Sequence, residues 1–99
     1  MHIKIANRYG YSVEAAIRVT SIPAAYEYLK RLRYNGQPIA YERMASFEND
    51  AGVYVDWYCI YTQEDGLPSK KTKIATLYIN AYCLDMPDIA PRGFTLDEP

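Results

Sequence analysis

Histidine and cysteine are nearly missing from this chain, whose 99 residues hold one His, at position 2, and two Cys, at 59 and 83. His2 lies near an end of the chain, where backbones fray, so imidazole-dependent catalysis is not expected. Cys59 and Cys83 fall in strand-like stretches without a CxxC spacing or a nearby His. A small secreted scaffold would carry more cysteines at framework spacings, so two buried, free thiols are expected. Glycine is scarce too. Its five copies sit in turn-like places or near the C-terminus, which leaves no phosphate-cradling loop, and no nucleotide cofactor is expected. The acidic residues are scattered, and neither "ENDAG" nor "QEDGLPSKK" has the ligand spacing of a calcium loop, so no metal is expected.

Charge of one sign is absent as well. Eleven Lys and Arg stand against twelve Asp and Glu, so no overall field draws the protein to phosphate backbones or anionic membranes. No apolar run approaches the roughly 20 residues of a membrane span, and "MHIKIANRYG" lacks the apolar segment of a signal peptide. A cytoplasmic protein with no membrane partner is the expectation.

Hydrophobic residues are plentiful at 49%, enough for a folded domain. A chain of this length has room for one core, burying roughly 60 to 65% of the unfolded surface. We expect a single domain over 1–83, followed at 84–99 by a tail with several prolines and no period, which either wraps the body or hangs free.

In "TSIPAAYEYLKRLRYNG", Ser21 suits an N-cap, Pro23 the first turn and Gly36 the stop, so a helix is predicted over 22–34. Ile22, Ala25, Tyr26, Leu29 and Leu32 form its apolar stripe. Three strands follow, near 39–47, 53–62 and 72–83, with turns at "ENDAG" and "EDGLPSKK". Before the helix, "HIKIAN" and "SVEAAIRVT" alternate apolar and polar residues around "RYGY" and read as a hairpin; the second run also has helix formers in Glu14, Ala15 and Ala16. The order is ββαβββ, an α+β fold with an antiparallel sheet of about five strands and one helix packed on one face.

Placing the first turn near Asp50 makes odd positions oppose odd ones, which assigns Ile39, Tyr41, Ala45, Phe47, Val53, Val55, Trp57, Cys59 and Tyr61 to the core face, continued by Ala75, Leu77, Ile79 and Ala81. The other face collects Met44, Tyr54, Asp56, Tyr58, Ile60, Ile74, Thr76, Tyr78, Asn80 and Tyr82, too apolar for a plain wet surface. Eleven of the fourteen aromatic residues are Tyr, an amphipathic side chain enriched at interfaces. The partner-binding candidates are therefore Met44, Tyr54, Asp56, Tyr58, Ile60, Ile74, Tyr78, Asn80 and Tyr82.

These features point to a non-enzymatic module that binds a protein partner, a large host complex or a second copy of itself, through a tyrosine-rich sheet face. In plan it resembles the small inhibitors encoded by phages and mobile elements, such as anti-CRISPR proteins, although no motif carries that likeness. The alternative is a small RNA or single-strand nucleic-acid binder that stacks bases on the sheet aromatics and uses Lys30, Arg31, Arg33, Lys70, Lys71 and Lys73 for phosphates. Cross-strand aromatic pairs also stabilise a sheet with no partner at all.

Overall fold

The structure, a computed structural model, describes residues 8–64 and 67–98, with side chains described outside 64–71. Among the described residues it is α+β, with one complete helix and two sheets. The elements are β1 (Ile17–Arg18), α1 (Ile22–Arg31), β2 (Leu32–Tyr34), β3 (Gln37–Pro38), β4 (Ala40–Glu48), β5 (Tyr54–Glu64), β6 (Leu67–Asn80) and β7 (Thr95–Leu96). The larger sheet has the order β1-β6-β5-β4 and the smaller β3-β2-β7.

α1 begins as its sequence dictates. Ser21 Oγ accepts the backbone N–H of Ala24, and Pro23 sits in the first turn, where its missing N–H costs nothing. The helix stops three residues sooner than expected, at Arg31, and Leu32 turns into β2. Asn35 and Gly36, with φ of 52° and 78°, form the two-residue turn between β2 and β3, whose left-handed positions Asn-Gly fills readily. The dipeptide marks a hairpin, and the tertiary pairing of β2 overrides the helical pattern before it.

The meander of β4, β5 and β6 is antiparallel as expected. The N-terminal hairpin is corrected in part. "HIKIAN" lies outside the described residues, and of "SVEAAIRVT" only Ile17 and Arg18 form a strand, which runs parallel to β6. The larger sheet is therefore mixed. Residues 10–15 instead make a turn closed by the Gly10 N–H on Ala15 O at 2.6 Å.

Register decides which side chains meet the helix. Phe47 pairs with Val55 and Ala45 with Trp57, the expected odd-to-odd match, but a bulge at Met44 then sets Arg43 opposite Tyr58. On the other side of β5, Trp57 pairs with Tyr78 and Tyr58 with Leu77, one step from the expected odd-to-odd register. A one-residue slip exchanges the two faces of a strand. Leu77, Ile79 and Ala81 do belong to the main core, but their partners there are Tyr58 and Ile60, packed with Ala25, Tyr28, Leu29 and Leu32. Trp57, Cys59 and Tyr61 point the other way and form a separate small cluster with Ala40. On the helix, Tyr28 takes the core position expected for Tyr26, which is 37% exposed.

The C-terminal segment folds back onto the body. Phe94 joins the main core, Met86, Ala90 and Leu96 pack against it, and Pro91 is fully buried. β7 pairs with β2, and the Tyr28 hydroxyl donates to Ile89 O at 2.5 Å.

Candidate interaction face

The register divides the residues expected to bind a partner. Tyr58 and Ile60, at 1% and 0% exposure, are core and cannot meet a partner. Ile74 is corrected as well: it packs against the main core, next to a shift in the β5–β6 ladder. Asp56 alternates with Tyr58 on the helix side of β5, where it accepts Ser46 Oγ–H at 2.5 Å and the Arg43 guanidinium at 3.2 Å. Met44 at the bulge, Tyr54 beside the β4–β5 turn and Tyr82 after β6 are exposed, at 44%, 59% and 64%. Asn80 is a local cap whose side-chain oxygen accepts the Tyr82 N–H at 2.9 Å.

Tyr78 remains on the face away from the helix, with companions assigned to the core by the sequence. Phe47 stacks on Trp57 with ring centroids 6.2 Å apart and planes 18° from parallel, and lies 6.5 Å from the ring of Tyr78. The three rings come from three neighbouring strands and make one aromatic patch. Phe47, on the outermost strand of the sheet, is 47% exposed. The Trp57 Nε1–H is buried without an acceptor, a cost that a core usually avoids. Phe47 and Trp57 could have been found by testing both registers of the second turn, since either places a continuous aromatic row on one face.

On the helix side, tyrosines run in a ladder: Tyr26 stacks on Tyr41 at 6.2 Å, and Tyr41 meets Tyr58 edge-on at 5.9 Å. Burial pushes the Tyr58 and Tyr28 hydroxyls well above the usual phenol range, so both are neutral donors rather than nucleophiles or bases. Cys59 is buried and Cys83 partly so, and both thiols are free. Among the described residues no three His, Cys, Asp or Glu come together as a metal site, and no helix is long and apolar enough to cross a membrane.

The basic residues are scattered by the fold. The Arg31 guanidinium binds Asp97 O and Asp88 Oδ1, each at 2.8 Å, and Arg33 pairs with Asp97 Oδ2 at 3.0 Å. Lys30 is 3.7 Å from Glu27. Lys73 is exposed, and the side chains of Lys70 and Lys71 lie outside those described. No protein-family model, curated protein or solved structure matches the chain.

Proposed function

We propose that this protein is a non-enzymatic binding module that holds a protein partner against the sheet face opposite α1, with Phe47, Trp57 and Tyr78 at the centre of the contact. The half-exposed Phe47 stacked on Trp57 carries this reading. Rigid aromatic rings supply large contact area at small entropic cost, and interface energy concentrates on such anchors. The neutral neighbours Ala45 and Thr76 suit a protein surface better than a phosphate backbone. Arg31 and Arg33, on which the nucleic-acid reading leans, hold the C-terminal segment instead.

In its finer form the proposal is an inhibitor of the kind made by phages and mobile elements, one that occludes a larger complex by covering part of it. The aromatic character of the patch supports that form.

The test is Phe47→Ala combined with Tyr78→Ala, compared with wild type in capture from lysate of the natural host. A partner retained in stoichiometric amount by wild type should be lost by the double variant at least tenfold, while circular dichroism stays unchanged, because anchor truncation typically costs at least about 2 kcal/mol of affinity. Equal capture by both proteins would remove the patch from the interface. Nuclease treatment of the lysate is the control, and it should abolish capture only if the retained partner is nucleic acid.

A further inference from the structure

Residues 85–98 lie over the body as a strap, and the ion pairs that fasten them are segregated by sign. Arg18 on β1 pairs with Asp85, Arg31 on α1 with Asp88 at 2.8 Å, and Arg33 on β2 with Asp97 at 3.0 Å. In all three the cation belongs to the body and the anion to the strap. The pairs are spread along its length, at its entrance, near its middle and at β7. Their aspartate side chains are 64%, 78% and 56% exposed, so dissolved ions reach each of them.

The strap's other attachments are few. Its only strand is β7, whose two residues pair with β2, and only Pro91 and Phe94 are buried outright. Two hydroxyls from the body, those of Tyr11 and Tyr28, donate to the carbonyls of Arg92 and Ile89, each at 2.5 Å. The meander beside it is held instead by continuous backbone ladders over β4, β5 and β6.

We infer that the strap is an electrostatically latched lid, which opens as one unit while the body stays folded and opens more readily as ionic strength rises. The ion pairs, the β7 rungs and the two tyrosine bonds break together, because all of them join one short stretch of chain to the body. A single exposed pair contributes little, but three that close the same element act in concert, and salt screens all three at once. Opening uncovers the Tyr28 hydroxyl and the ring of Tyr34, which packs against Phe94 with centroids 5.7 Å apart. This inference does not rest on the aromatic face of the meander.

Native-state hydrogen exchange of the wild-type protein, in about 0.05 M and then about 1 M sodium chloride, tests it. The strap is reported by the Asp97 N–H, bonded to Arg31 O at 2.8 Å, and by the Phe94 N–H, bonded to Pro91 O at 3.0 Å. The body is reported by the Tyr78 N–H on Gly10 O at 2.8 Å and the Val19 N–H on Asn80 O at 3.0 Å. Both strap amides should exchange faster than both body amides, and the ratio should rise about tenfold at the higher salt. The combined variant Asp85→Asn, Asp88→Asn and Asp97→Asn keeps the size of each side chain and removes its charge. Its amides at 94 and 97 should exchange fast at both salt concentrations, with those of Tyr78 and Val19 unchanged. Equal protection of strap and body would show one cooperative unit and overturn the inference. So would strap exchange in wild type that ignores salt, or an Asp97 amide that speeds up while Phe94 stays protected, which is fraying of the terminus alone.

Discussion

Tyr58 and Phe47 show how one rung of register reverses the meaning of a residue. Alternation alone puts Tyr58 outside and Phe47 inside, whereas Tyr58 is 1% exposed and Phe47 is 47% exposed. Tyr58 is among the largest fully buried side chains, edge-on to Tyr41. Tyr58→Ala should therefore lower the unfolding free energy by about 3 to 5 kcal/mol, the usual cost of removing a buried aromatic ring. Urea titration measures this directly, and a loss under about 1 kcal/mol would place the ring outside the core. Phe47→Ala leaves a half-exposed site and should cost about 1 kcal/mol or less. The two substitutions thus separate folding from binding. Nothing in the local sequence distinguishes these residues, because both are aromatic and both suit a strand.

At the scale of elements, the signals that worked were those whose chemistry is completed nearby. Ser21 caps α1 because its acceptor lies three residues from the N–H it serves, and "ENDAG" makes its turn through Asn49, whose side chain accepts from Ala51 and Val53. The helix ends sooner than its pattern predicts because Leu32 and Arg33 fit a helix as readily as a strand, and their pairing with β7 comes from residues more than sixty positions away. The turn around Gly10 depends on such distant contacts too. Gly10 has φ +86°, and a Cβ there would stand 3.0 Å from Ile17 and 3.1 Å from Pro91, where Gly36 at φ +78° faces open space. Both positions are strained for alanine, so Gly36→Ala should destabilise modestly. Gly10→Ala should cost more, well beyond about 1 kcal/mol, because it also pushes apart the segment before β1 and the C-terminal strap. Thermal unfolding of the two variants side by side checks this order, and equal losses would mean that the strap yields freely.

The whole molecule carries its tyrosines in two conditions, wet and buried, and this makes its stability sensitive to alkali. Burial raises the hydroxyls of Tyr9, Tyr28 and Tyr58 above the ordinary value of 10.0. In the unfolded chain these phenols lose their protons near pH 10, while in the folded protein they keep them, so above that point the folded state binds more protons. The contribution is complete below about pH 10 and is lost as pH rises toward the folded values. Urea midpoints should hold steady from about pH 7 to 9 and fall steeply above about pH 10. Tyr28→Phe, which removes one buried phenol, should soften that fall. A flat profile to pH 11 would show that the phenols are not shielded.

By itself the sequence determined the fold class, the start of α1, the three long antiparallel strands and the turn at "ENDAG", because each rests on periodicity or on hydrogen bonds closed within a few residues; the last strand starts at Leu67, inside the stretch "EDGLPSKK" that reads as a turn. It also marked the meander as the place where an aromatic surface would lie. Which side of β5 bears that surface was decided only in three dimensions. The bulge at Met44 and the Trp57–Tyr78 pairing fix the register, and a strand with apolar residues on both faces does not say which of them the helix will cover. The fate of the C-terminal strap and of the basic cluster on α1 was decided there as well, since Arg31 and Arg33 meet Asp88 and Asp97 across more than fifty residues of chain. Pairings of that separation leave no local period, and their energy exists only once the body has folded and the groove between α1 and β2 is in place.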